Sequence, residues 1–294
     1  MAANNLPTGE LRAGESDRDA VIRKLSIEVA VGDVRLPSLP DIAIRVQKVL
    51  EDPRAPRTRV TQVIGADAAL AARIIRLANS AFLNPSTERI FDLQQSVTRL
   101  GTQLVRCTAM SFSLQQMEFG SAQSKLRPHI RELWRMGALV ASIAYVLARE
   151  TRAAIPDEAL MTGLMHNIGN LYITVNTPGA DGSAESEAWE TLMREWHPRI
   201  AGSILKHWKF PLPIVAAVVE QNNGNSSLGG EGGLTDVLIA SIALGSRVFR
   251  SEPIDDTVTA GPCFQRLRLG SDDCKQMLAA AALQIKALRA ALTS

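Results

Sequence analysis

Residues 157–176 read DEALMTGLMHNIGNLYITVN. Placed on a helix at 100° per residue, Leu160, Leu164, Ile168, Leu171 and Val175 fall within about 40° of one another's common direction. Met161, Met165 and Tyr172 widen this stripe. His166 falls about 160° away from Leu164, beside Gly169 and Ile173. Gly163, Asn167, Asn170 and Thr174 line one flank. A helix that is apolar on nearly every side sits in the middle of its domain. Its His166, Asn167 and Asn170 then need partners inside the protein, because an unpaired buried polar group costs about 1–3 kcal/mol. Gly163 and Gly169 let neighbouring helices come close. The stretch is therefore either a metal site with unusual ligands or a core helix with satisfied polar groups.

The helical period extends outward from this stretch. Ile22, Leu25 and Val29 recur at spacings of three and four, as do Ile42, Val46, Val49 and Leu50 after Pro40-Asp41. Short helices are expected around Val60, Val63 and Ile64, and from Leu70 to Ala78, ending near Asn79-Ser80. Val97, Leu100, Leu104 and Val105 continue the pattern around Gly101. A long helix is expected from Ile130 to Arg149, and a single helix from Asp157 to Asn176. Further helices fit 188–196, 198–208, 213–222, 234–250 and 272–292. The segments 178–187 and 222–233 read as loops by composition. No alternating strand pattern and no internal repeat appears. The expected fold class is all-α with two packed helical lobes. Residues 1–18 form a tail, 19–118 an N-terminal helical lobe and 119–294 a second helical lobe.

Composition bounds the function. Apolar residues make up 46% of the 294 and charged residues 21%, ordinary values for a globular chain. The net charge of +2 argues against a dedicated nucleic-acid binder. The charge is uneven: residues 1–150 carry 20 basic and 15 acidic groups, against 12 and 15 in the remainder. The excess concentrates in 35–106, and Arg54, Arg57 and Arg59 form its densest loop. This face is either a solvated surface or a docking face for an acidic partner. Cys107, Cys263 and Cys274 have no CxxC spacing, which fits a reducing compartment without disulfides. No signal-peptide core and no membrane span is expected, so the cytoplasm is the default location.

Searches for other chemistry fail. A Gly-x-Ser-x-Gly elbow is absent, and GGEGG at 229–233 lacks the lysine of a phosphate loop. Cys107 has no local base to activate it. Trp134, Trp189, Trp196 and Trp208 are spaced as core residues. His129 and His207 read as residues near helix ends. His197 precedes Pro198 and reads as a residue flanking a helix start.

Several ordered motifs resemble one family. LPSLPDIAIRVQKVLEDP (36–53), IGADAALAARIIRLANSAF (64–82) and IFDLQQSVTRLG (90–101) resemble the opening of HDOD, the HD-related output domain. LWRMGALVASIAYVLA (133–148) and HPRIAGSILKHWKFPLPIVAAVVEQ (197–221) match its later segments. Asp67, Leu70, Asn79 and Ser80 stand at motif positions, with Ala68 where proline is usual. The resemblance covers about 30–225 and implies a helical lobe joined to an HD-like lobe. It also implies a bacterial signalling module, for which no catalysis is established as a class.

HD-domain phosphohydrolases, the enzymes of this wider fold, use histidines and a His-Asp pair to hold metal. In this chain Met136 stands where the first histidine is expected, and the pair reads His166-Asn167. His197 is retained. Gln221-Asn222 replaces a histidine pair, and the final acid position reads Ala243 or Leu244. Asparagine cannot bridge metals as a carboxylate does. The resemblance therefore implies no metal and no cofactor, with His166, Asn167 and His197 as vestigial ligands. The expected function is regulation through protein–protein contact. Partners are other signalling proteins, such as sensor kinases or cyclic-dinucleotide enzymes, with no membrane or nucleic-acid role; homodimerisation stays open. The alternative is a metal-dependent phosphohydrolase using His166, Asn167 and His197. A weaker reading is nucleotide or nucleic-acid binding by the first lobe.

Overall fold

The computed structural model describes residues 41–52, 54–80, 88–116, 126–176, 187–223 and 232–293, together with Ile27. The tail, the 22–29 helix apart from Ile27, nearly all of the loop at 178–187, most of the loop at 222–233 and the lobe boundary at 118–119 lie outside these residues. Every regular element among them is a helix, so the all-α expectation holds.

The first lobe contains α1 (Asp41–Leu50), α2 (Arg57–Gly65), α3 (Ala68–Ala78) and α4 (Leu93–Gln116). α1 buries Ile42, Ala43, Val46 and Val49, the stripe that its period specifies. α3 starts where Asp67 accepts hydrogen bonds from Ala69 N and Leu70 N at 3.0 and 2.9 Å. α4 kinks at Gly101, whose φ of 71° lies in the left-handed region that glycine tolerates best.

The second lobe is built on α5 (Arg127–Thr151), buried almost without interruption from Gly137 to Ala148. Against it pack α6 (Pro156–Met165), α10 (Leu234–Arg250) and α14 (Ala282–Thr293). Gly163 sits where a Cβ would come within 2.6 Å of Ala141 Cα, so α5 and α6 cross at backbone contact. The remaining elements are α7 (Ile168–Asn176), α8 (Glu187–His207), α9 (Leu212–Val219), α11 (Asp256–Thr259), α12 (Pro262–Leu267) and α13 (Ser271–Ala280).

Four expectations are corrected. The Asp157–Asn176 helix is interrupted at His166-Asn167, giving α6 and α7. The two helices expected at 188–196 and 198–208 are one, α8, running through Pro198. The helix expected at 272–292 divides at Ala281 into α13 and α14. Two short helices, α11 and α12, occupy a stretch for which the sequence suggested none.

One apolar cluster runs from Ile42 in α1 to Leu292 in α14, so the lobes share a core. A second lies between α5, α10, α12 and α13, around Leu139, Leu147, Leu244 and Phe264. Asp236 of α10 closes this side by accepting two hydrogen bonds from Arg266 Nε, at 3.0 and 3.1 Å, and one from Gly233 N at 3.1 Å. α14 ties the lobes together. The Leu292 carbonyl accepts from Gln115 Nε2 (2.8 Å), Ser111 Oγ (3.2 Å) and Arg73 Nη2 (3.4 Å). No described helix is long and apolar enough to cross a membrane.

Candidate functional site

His166 and Asn167 form the turn between α6 and α7. His166 is 3% exposed, and its Nδ1 lies 2.6 Å from the Gly163 carbonyl. A carbonyl can only accept, so Nδ1 carries the proton and the Nε2 lone pair is left. Asn167 turns the other way and accepts from Asn170 Nδ2 at 2.8 Å. Asn170 Oδ1 is buried without a hydrogen-bond partner.

α8 brings His197 to this turn. Gly169 makes the approach work: a Cβ there would stand 1.9 Å from the His197 carbonyl oxygen. His197 is 7% exposed and lies inside α8, which corrects its expected role at a helix start. The physical reason is Asn222. Pro198 has no N–H to give the carbonyl one turn back, Arg194 O. Asn222 Nδ2 donates to that carbonyl at 2.6 Å and keeps the helix intact. The same nitrogen lies 3.4 Å from His197 Nε2. An amide nitrogen only donates, so Nε2 accepts and Nδ1 holds the proton; that Nδ1 is buried without a hydrogen-bond partner.

Gln221 acts in the same manner. Its Nε2 donates to the His166 carbonyl at the helix break (3.2 Å) and to Val218 O at the end of α9 (2.8 Å). The amides of Gln221 and Asn222 thus serve as donors to main-chain carbonyls.

Burial pushes His166 down to about 4, against the opposing pull of its bond to Gly163. Burial, together with the nearby His166, pushes His197 down to about 3. Both rings are therefore neutral near pH 7. Among the described residues, no three His, Cys, Asp or Glu side chains come together as metal ligands. Met136 is half-buried in the core of α5, and Leu244 is fully buried. Beside Asn167 a crevice lined by Leu133, Trp134, Leu164, Met165, Ile168 and Leu171 offers about 10 Å³. That is the lower bound for a single water molecule.

The other candidates separate. Arg54, Arg57 and Arg59 are all exposed, and Arg57 reaches Thr98 Oγ1 at 3.5 Å. Cys107, Cys263 and Cys274 are buried, and burial raises all three thiols, Cys274 to about 11. They are held as thiols and not as nucleophiles. Sequence reasoning missed Arg73, which is 1% exposed. Burial lowers it to about 10, Phe112 stacks 5.5 Å away, and its Nε and Nη1 lack hydrogen-bond partners. An arginine inside the stripe of α3 offers no signal of this, since α14 is what covers it.

The fold and this turn define an all-helical protein of the HD-like class. The chain belongs to the HDOD domain family, whose model matches residues 36–224. Among solved structures it is similar to a Shewanella amazonensis SB2B protein provisionally described as a metal-dependent phosphohydrolase. That match has a TM-score of 0.68 and 23% identity, covering 95% of this chain and 100% of the other. It is also similar to an HDOD domain protein of unknown function from Geobacter sulfurreducens (TM-score 0.64, 20% identity, 91% and 98% coverage). A third likeness is to a provisionally described signal transduction protein from Marinobacter aquaeolei VT8 (TM-score 0.59, 20% identity, 96% and 68% coverage). At these identities the likeness establishes the fold. A curated relative, an uncharacterized protein of Treponema pallidum (strain Nichols), is 23% identical over 212 residues. The match covers 68% of this chain and 40% of that protein's length.

Proposed function

We propose that this chain is a non-catalytic regulatory module of bacterial signal transduction that acts by binding other proteins. The observation that carries this reading is the way the amides and imidazoles around the His166-Asn167 turn are used. Asn222 and Gln221 repair main-chain carbonyls, His166 donates to Gly163 O, and Asn167 pairs with Asn170. Two neutral imidazoles without a carboxylate supply little charge to hold a hard divalent cation or to lower the pKa of a bound water. The residues do not fit an HD metal centre. Sensor kinases and enzymes of cyclic-dinucleotide metabolism are the partner classes that suit such a module. The description of the Marinobacter protein as a signal transduction protein agrees with this reading.

One observation favours a second reading. His166 Nε2 keeps its lone pair, because Nδ1 donates to the Gly163 carbonyl. A metal-dependent phosphohydrolase with His166, Asn167 and His197 as unusual ligands would use this cluster. Elemental analysis of full-length protein purified from cells supplied with Fe, Mn and Zn separates the two. The expected outcome is substoichiometric metal and no hydrolysis of bis-p-nitrophenyl phosphate, nucleotides or cyclic dinucleotides. Stoichiometric metal that disappears in His166→Ala, with hydrolysis lost alongside it, would establish the second reading instead.

A further inference from the structure

α9 carries no polar side chain: its residues read LPIVAAVV. Ile214, Val215, Ala217 and Val218 are buried, while Leu212, Pro213, Ala216 and Val219 face out. At 100° per residue Leu212, Ala216 and Val219 fall within about 60° of one another. Leu212 is 76% exposed and Val219 39%, and among the described helices α9 alone exposes two large apolar side chains. One exposed apolar residue is commonplace, whereas a stripe of them marks a contact surface. At its midpoint stands the small Ala216, which lets a second helix come close.

The two ends of the stripe differ in charge. From Trp196 to Val219 the chain holds no acid, and Lys206, His207 and Lys209 are exposed at the turn into α9. Lys209 has a φ of 55°, in the left-handed region that favours glycine, so a cation stands there against the local backbone preference. Neither lysine makes an ion pair with a described residue. The acid nearest this turn on α1, Glu51, accepts from Gln47 Nε2 (3.1 Å), which also donates to Trp208 O (2.7 Å). At the other end Glu220 follows Val219 on the same outer arc, half-buried and free of ion pairs among the described residues. α8 returns alongside, close enough that a Cβ on Gly202 would stand 2.3 Å from Val219 Cγ2. Its Arg199 lies over the Trp196 ring at 5.5 Å.

We propose that this face binds a second copy of the chain, the two α9 helices running antiparallel across a two-fold axis at Ala216. Leu212 of one copy packs on Val219 of the other, and Lys206 and Lys209 meet Glu220. A parallel pair sets lysines against lysines, so the charges select the antiparallel one. A patch that complements itself closes at two copies. The same acid on the outer arc disfavours an anionic lipid surface as the occupant. The dimer goes beyond the regulatory reading and does not depend on it.

Sedimentation of the full chain between about 5 and 500 μM is expected to show monomer and dimer in exchange, as suits a short interface. Leu212→Glu, at an exposed position, is expected to raise the dissociation constant at least about tenfold with helicity unchanged. Lys209→Glu and Glu220→Lys are each expected to weaken the dimer several-fold, and the double variant to recover most of the loss. The three native cysteines are buried, so Ala216→Cys adds one accessible thiol, next to its own copy on the two-fold axis. Mild oxidation is expected to cross-link Ala216→Cys and not Leu283→Cys, which is exposed on α14. A monomer over the whole range overturns the proposal. So does a dimer that Leu212→Glu leaves intact and Ala216→Cys does not cross-link. A monomer that binds phosphatidylserine vesicles through Leu212 overturns it in favour of a lipid surface. None of these failures touches the regulatory reading.

Discussion

His166 and His197 store a pH dependence in the folded state. In an unfolded chain each imidazole titrates near its ordinary value, about 6.5. Folding lowers them to about 4 and about 3. Below about pH 6.5 the unfolded state therefore binds more protons than the folded state. Stability is complete above that pH, falls as pH drops, and stops falling through these groups once the folded values are passed. Asp157, raised by burial, works in the opposite sense. At about 1.4 kcal/mol per pKa unit, urea unfolding is expected to lose on the order of 3 kcal/mol between about pH 7.5 and 5. The slope is expected to fall by about half in either His166→Asn or His197→Asn. A flat profile would mean that the rings are not held neutral by burial.

At the scale of elements, short polar side chains decide where helices start, stop and continue. Asp67 caps α3, and Asn79 anchors the segment that follows it. The family motif containing both reads, in physical terms, as a helix with a tether. Asp67→Ala is expected to cost about 1 kcal/mol, the usual worth of an N-cap. Asn79→Ala is expected to cost more, on the order of 2–3 kcal/mol, because it leaves both main-chain groups of buried Ile90 without their partner. Urea midpoints of the two variants check the order. Both helix surprises have the same origin. α8 survives Pro198 because Asn222 supplies the missing donor, and the α6–α7 break is held by Gln221 on the His166 carbonyl.

At the scale of the molecule, α14 closes a core that begins in α1. Leu288 and Leu292 are buried, and three side chains of the first lobe converge on the Leu292 carbonyl. Part of this contact is a buried guanidinium, Arg73, whose hydrogen-bond partners among the described residues are Gln115 and the Leu292 carbonyl. A chain lacking residues 282–294 is expected to show faster amide exchange in α3 and α4, with α10 and α12 little changed. Unaltered protection in α3 and α4 would mean that α14 adds nothing to the first lobe.

The sequence by itself determined the all-α class, most helix stripes and the HDOD family. Those depend on local period and on ordered motifs, which the chain carries in one dimension. It also placed His166, Asn167, Gln221 and Asn222 as the positions to inspect. Only the tertiary structure decided what they do. A donor's worth depends on which carbonyl stands across from it, and Arg194 O lies 28 residues from Asn222. The break at His166-Asn167 was hidden for the same reason: its apolar stripe satisfies a continuous helix, and the donor that holds the interrupted carbonyl, Gln221, arrives from just beyond α9.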